Sequence, residues 1–244
     1  MSLRNPGILL INLGTPDKPE RKDVNRYLLQ FLTDERVIDF PWLKRQLLVR
    51  GLIVPMRAAN STDLYKQLWT DEGSPLKYYG ERLTALVAER LGGQIPVALG
   101  MRYQNPSIEV AIEELLGRDV DEIIVFPAQS HATTRALAAK LDLSEDRYTT
   151  CFQSRLGKEV WTQPYASQVI EERASKGDKR ILVFSPSFVA DCLETTVEVG
   201  IEYQDEFVAA GGEKLDLVPS LNDDPKWVEA ILQIIKERIK LDIN

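Results

Sequence analysis

With 244 residues and 44% hydrophobic content, the chain is long enough to bury a core in one or two domains. A net charge of −7 and a pI near 5.0 exclude general nucleic-acid binding, which requires a basic footprint. Two cysteines, Cys151 and Cys192, exclude a disulfide framework and a four-cysteine metal site. No apolar run reaches the roughly 18 residues of a membrane span, and the N-terminal stretch lacks a signal-peptide core, so the expected setting is cytoplasmic.

In chain order, Gly7 to Asn12 (GILLIN) reads as a first buried strand, and it runs into the turn Leu13-Gly14-Thr15-Pro16. Asp23 to Leu32 carries Val24, Tyr27, Leu28 and Phe31 at helical spacing. The segment PWLKRQLLVRGLIVPMR, residues 41–57, mixes Trp42, Leu43, Leu47, Leu48, Leu52, Ile53 and Met56 with four basic residues and no acid. Three readings stand for it: an ordinary amphipathic helix, a peripheral membrane contact, or a lip over a flat apolar ligand bearing carboxylates. Ser61 to Thr70 is helical, and the turn Glu72-Gly73-Ser74-Pro75 starts a helix running to about Leu91. Val97 to Met101 is a second strand; after Arg102-Tyr103-Gln104-Asn105-Pro106, Ser107 caps a helix over Ile108 to Leu116. Glu122 to Phe126 is a third strand, ended by Pro127. Ala132 to Leu141 reads as helix and Tyr148 to Gln153 as strand, and a further helix lies within Val160 to Arg173. The alternation of strands and helices predicts βαβ units and parallel sheets.

The stretch from Arg180 to Gln204 carries the chemistry. Ile181 to Phe184 is a continuous apolar run, as in a strand covered on both faces, and Pro186 ends it. Asp191, Glu194, Glu198 and Glu202 follow at spacings of three, four and four, which puts four carboxylates on one face of an α-helix. Like charges so stacked repel, so the face is either well solvated or compensated by a cation. Its place after the carboxyl end of a buried strand favours the cation, because ligands sit there in open α/β sheets. Leu215 to Val218 is a last strand, and Leu221-Asn222-Asp223-Asp224-Pro225 leads to a terminal amphipathic helix, Trp227 to Ile239.

Taken together, GILLINLGTP, GSPL, ALGMRYQNPSIEVAIEELL, CFQSRLGKEVWTQPY, FVADCLETTVE and LNDDPKW resemble the bacterial ferrochelatases, in the family's order over residues 6–240. The resemblance implies an α/β fold of two Rossmann-like, chelatase-type lobes with four-stranded parallel sheets, residues 1–127 and 128–244, and a porphyrin cleft. The terminal helix, about 226–240, would pack back on the first lobe. The implied reaction inserts Fe(II) into protoporphyrin IX in the last step of haem synthesis, with iron as substrate and no tightly bound cofactor. Glu194 would be the metal-site carboxylate; Asp191, Glu198 and Glu202 would pass iron in or protons out. Leu13, Ser74, Arg102, Tyr103, Trp161 and Phe188 fall on motif positions that line the porphyrin. The cysteine count excludes a cysteine-bound iron–sulfur cluster, which some family members carry.

One departure is large. Family members carry extra chain between the strand ending at Pro127 and the helix near Ala132, including the strand with the catalytic histidine. Roughly 75 residues are missing if bacterial members set the length of a two-lobe chain. The only histidine, His131, does not match the lost one and reads as a helix-start residue. Either the parent chain retains the segment, or the second sheet has lost a strand and the site its base. The alternatives to insertion of Fe(II) into protoporphyrin IX are a coproporphyrin or cobalt chelatase and, if the deletion is real, a non-catalytic tetrapyrrole binder. A nucleotide-binding module is disfavoured because no G-x-G-x-x-G follows any strand. Cys192 reads as a buried small residue or an iron ligand.

Overall fold

The fold was obtained as a computed structural model, which describes residues 5–118, 120, 122–127, 140–142, 144, 149–153 and 163–239. It divides into two units: Met1–Ala128 with Ala190–Cys192 and Leu221–Asn244, and Gln129–Val189 with Leu193–Ser220.

In the first unit, strand β1 (Pro6–Gly14) lies between β2 (Val97–Tyr103) and β3 (Glu122–Pro127), all parallel. Strand alternation sorts the apolar residues into two layers. Leu9 and Ala98 face helix α5 (Ile108–Leu116), against Ala111 and Leu115. Ile8, Leu10, Leu99 and Met101 face the other way, onto helix α4 (Pro75–Arg90) and the terminal helix α8 (Pro225–Ile239), which adds Val228, Ile231, Leu232 and Ile235. Each such side chain, fully buried, contributes about 2 kcal/mol of transfer free energy, so the terminal helix is part of this core. Ser107 caps α5 as expected, its hydroxyl accepting from the Val110 N–H at 3.3 Å.

Helix α1 (Arg21–Leu32) stands over the sheet's carboxyl end through an aromatic cluster. Tyr27 and Phe31 stack at 5.9 Å, and Tyr103 packs edge-on to Phe31 at 5.3 Å. The basic apolar segment is one helical run: α2 (Trp42–Leu48), a π-helical turn (Val49–Ile53) and α3 (Val54–Leu68). Arg45 folds inward and donates to the Phe40 carbonyl at 2.7 Å, whereas Trp42, Leu47 and Met56 are 67%, 68% and 72% exposed. Among the described residues no helix is long and apolar enough to cross a membrane.

In the second unit, β4 (Arg180–Val183) pairs in parallel with β5 (Lys214–Leu217). Helices α6 (Ala166–Ser175) and α7 (Gln204–Ala209) enclose Ile170, Tyr203, Phe207 and Leu215 with them. Among the described residues the first sheet has three strands and the second two. Two expectations are corrected here. The run Ile181 to Phe184 is not covered on both faces: Leu182 is 71% exposed, because the described chain lays nothing on that side of β4. Within Tyr148 to Gln153, the described residues make one bridge, Phe152 to Tyr165, and no strand. The expected helix from Ala132 falls almost entirely outside the described residues, as does His131.

Candidate active site

In the first unit, the expected residues gather at the carboxyl ends of β1 and β2, the edge where open α/β sheets bind ligands. Gly14 there sits at φ +111° opposite Tyr103, and a Cβ on it would stand 2.0 Å from the Tyr103 carbonyl oxygen. Only glycine permits that approach, so the Leu13-Gly14-Thr15 turn must run against β2. Leu13 is half-buried on this turn. Ser74, at the start of α4 and only 2% exposed, hydrogen-bonds Thr15 through their hydroxyls at 2.9 Å. Each hydroxyl thus satisfies the other away from water.

Arg102 and Tyr103, two of the residues expected to line the porphyrin, both reach Asp34. Arg102 Nη2 donates to Asp34 Oδ2 at 2.6 Å, and the Tyr103 hydroxyl donates to the same oxygen at 3.1 Å. Burial raises the Asp34 pKa, but bonds from the Arg36 N–H, Arg102 and Tyr103 outweigh it and hold the carboxyl below its usual range. Burial raises the Tyr103 phenol. The sequence reading missed Asp34, because it lies 68 residues from Arg102 in a turn with no recognisable motif.

Asp191 corrects the four-carboxylate face. The helix begins only at Leu193, and Asp191 belongs to the first unit. Its N–H donates to Asn222 Oδ1 at 2.8 Å, and Asn222 Nδ2 donates back to Asp191 Oδ2 at 2.8 Å. Asn222 holds a left-handed φ of 48°, which asparagine tolerates, and the reciprocal pair keeps Asp191 out of the helix. Next to it Asp223 pairs with Arg82 at 2.6 Å. Tyr79 shares this neighbourhood: burial, then the charges of Asp191 and Asp223, raise its phenol pKa.

In the second unit, Leu193–Tyr203 is a π-helix of 11 residues, a rare conformation that collects at functional sites. Its wider turn keeps residues four apart close together, so Glu194, Glu198 and Glu202 still run along it as a line. The line grades outward: Glu194 and Glu198 are half-buried and Glu202 is exposed. Burial pushes the Glu198 carboxyl up, opposed by hydrogen bonds from Tyr203 and Gln153 and reinforced by the charge of Glu194. Glu206 on α7 extends the line, and burial with the charges of Glu171, Glu202 and Glu198 raises it too. Phe188 is half-buried, its N–H donating to the Ser185 carbonyl at 3.0 Å. Trp161 lies outside the described residues. Among the described residues, no three His, Cys, Asp or Glu side chains converge on a metal-holding point. Cys192 is buried.

The ferrochelatase family model matches residues 5–131 and 126–239. The chain belongs to the ferrochelatase family. A ferrochelatase of Coxiella burnetii (strain Dugway 5J108-111) is 34% identical over 333 residues, spanning 96% of this chain and 94% of the relative. One of Legionella pneumophila (strain Corby) is 32% identical over 330 residues, spanning 96% and 99%. The Coxiella alignment runs over 333 residues and this chain has 244, so at least 89 aligned positions (333 − 244) have no counterpart here. That exceeds the roughly 75 expected from bacterial length. The two family matches overlap at residues 126–131, around the end of β3.

Proposed function

We propose that the chain binds protoporphyrin IX and inserts Fe(II) into it, with iron as substrate and no tightly bound cofactor or iron–sulfur cluster. The observation that carries this reading is the half-buried Glu194–Glu198 pair on a π-helix, in a chain whose family is the ferrochelatases. Metallation removes two pyrrole N–H protons as a divalent cation enters. Glu194 would present an oxygen ligand to the incoming cation, the porphyrin nitrogens and the cation's own waters completing its shell. Glu198, made more basic by burial, would accept a proton, and Glu202 and Asp191 would relay cations and protons to water. Leu13, Ser74, Arg102, Tyr103, Trp161 and Phe188 would contact the porphyrin. The bond from Arg102 to Asp34 would then fix the arginine beside the ring rather than leave it free to clamp a propionate. The exposed helical run from Trp42 to Met56 would supply an apolar lip or a peripheral membrane contact.

A second reading rests on length: the Coxiella alignment leaves positions without a counterpart in this chain, and the resemblance puts a catalytic histidine in a segment that this sequence lacks, which favours a tetrapyrrole binder that does not metallate. Titrating the chain with protoporphyrin IX by Soret absorbance, then adding Fe(II) or Zn(II) anaerobically, separates the two. Binding followed by metallation is expected. Binding alone establishes the non-catalytic reading, and no Soret change sinks both.

A further inference from the structure

The hydroxyl of Tyr203 donates to Glu198 Oε1 at 2.8 Å, across five residues of one helix. In an α-helix, side chains five apart diverge; those that meet are three or four apart. A π-helix closes its turn at five, so Tyr203 reaches Glu198 only because Leu193–Tyr203 is π-helical. The ring is anchored among Ile170, Val199, Phe207 and Leu215, which leaves the hydroxyl few other directions. From outside the helix, Gln153 Nε2 donates to the Glu194 carbonyl at 2.5 Å, and the same side chain bonds the Glu198 carboxyl. One glutamine thereby ties the backbone at the first acid to the side chain of the second.

We infer that Tyr203 and Gln153 are positioning residues that hold the Glu198 carboxylate beside Glu194, so that the acid pair meets a divalent cation in one fixed geometry. The inference rests on the chelatase reading above and deepens it, because both residues would act through Glu198. A long carboxylate on a helix surface otherwise samples several rotamers, and ordering it at the moment of binding weakens binding. A hydroxyl supplied by a packed ring and an amide tethered to the backbone remove that cost beforehand.

The test uses the intact chain with Co(II) alone, followed by Zn(II) insertion into protoporphyrin IX. Tyr203→Phe should weaken Co(II) binding about tenfold, the scale of one hydrogen bond to a charged group. It should raise the KM for Zn(II) by a similar factor and leave the Soret titration with porphyrin unchanged. Gln153→Leu should act in the same direction. In a Glu198→Gln background, Tyr203→Phe should add nothing, because its partner no longer carries the charge it positions. Additive effects, or equal losses of Co(II) affinity, porphyrin affinity and melting temperature, would show that the tyrosine is only core. A wild type that inserts Zn(II), with Tyr203→Phe equal to it, overturns this inference alone. A wild type that binds porphyrin but neither takes Co(II) nor inserts Zn(II) overturns the chelatase reading and this inference with it.

Discussion

Glu198 and Asp34 are both acids with hydrogen-bond donors around them, yet their proton affinities move in opposite directions. At Asp34 three donors, one of them a guanidinium, outweigh burial; at Glu198 two neutral donors do not, and Glu194 adds a second negative charge. The sign of the consequence follows. Because the folded pKa of Glu198 lies above its unfolded value, its contribution to stability is fully present below the ordinary carboxylate range and is lost as pH rises through the folded pKa. Glu198→Gln keeps an acceptor for Tyr203 and Gln153 but has no such dependence. The variant should therefore melt at a higher temperature than wild type near about pH 7, and the advantage should vanish towards about pH 4. Thermal melts across that range check it; a difference independent of pH would show that the carboxyl is not destabilised by its surroundings. The chelation cost of the same variant, measured separately, would show why an ill-placed charge is kept.

Among the elements, the run from Trp42 to Leu68 differs most between its two ends. Its C-terminal half packs on α1 through Tyr65 and Tyr27, with ring centroids 5.9 Å apart, while the α2 end leaves its large apolar side chains in water. Arg45, pointing inward onto the carbonyls of Ile38 and Phe40, secures the preceding turn and fixes which face of α2 is outward. Side chains already in solvent contribute little to folding, so Trp42→Ser with Leu47→Ser should leave the melting temperature within about 1–2 °C of wild type. The same double substitution should weaken protoporphyrin affinity if the segment is a lip, or sedimentation with anionic vesicles if it is a membrane contact. A chain unchanged in both assays would return the segment to a plain amphipathic helix. Tolerance of the serines is itself informative, since a core helix would lose several kcal/mol from two such truncations.

For the whole molecule, the uncovered Leu182 and the aligned positions without a counterpart point to the same deficit. The apolar run Ile181 to Phe184 has the composition of a strand packed on both sides, and the described residues supply packing on only one. Inserting the Coxiella relative's extra stretch between Pro127 and Ala128 should raise the melting temperature, lower the binding of a hydrophobic dye and increase metallation. A chimera less stable than the parent would mean that this chain has adapted to the shorter form. Much of the molecule could be read from residue order: the β1, β2 and β3 strands, the capped α5, the terminal helix and the line of glutamates all follow from local periodicity, and the motifs placed the family. Other features were beyond such reading because they join residues distant in the chain. Asp34 meets Arg102, Asn222 draws Asp191 out of the helix, and Gln153 ties Glu194 to Glu198; no periodicity encodes such pairs. The π-helix is a different case, since glutamates four apart stay near one face of either helix and so do not tell α from π. What differs is which side chains meet across the turn, here Tyr203 with Glu198 five residues before it. Sequence by itself determined that acids would line this helix, because side-chain period is a local property. Only the tertiary structure decided which acids stay on it and what holds them, because hydrogen bonds between distant segments exist only once the chain has folded.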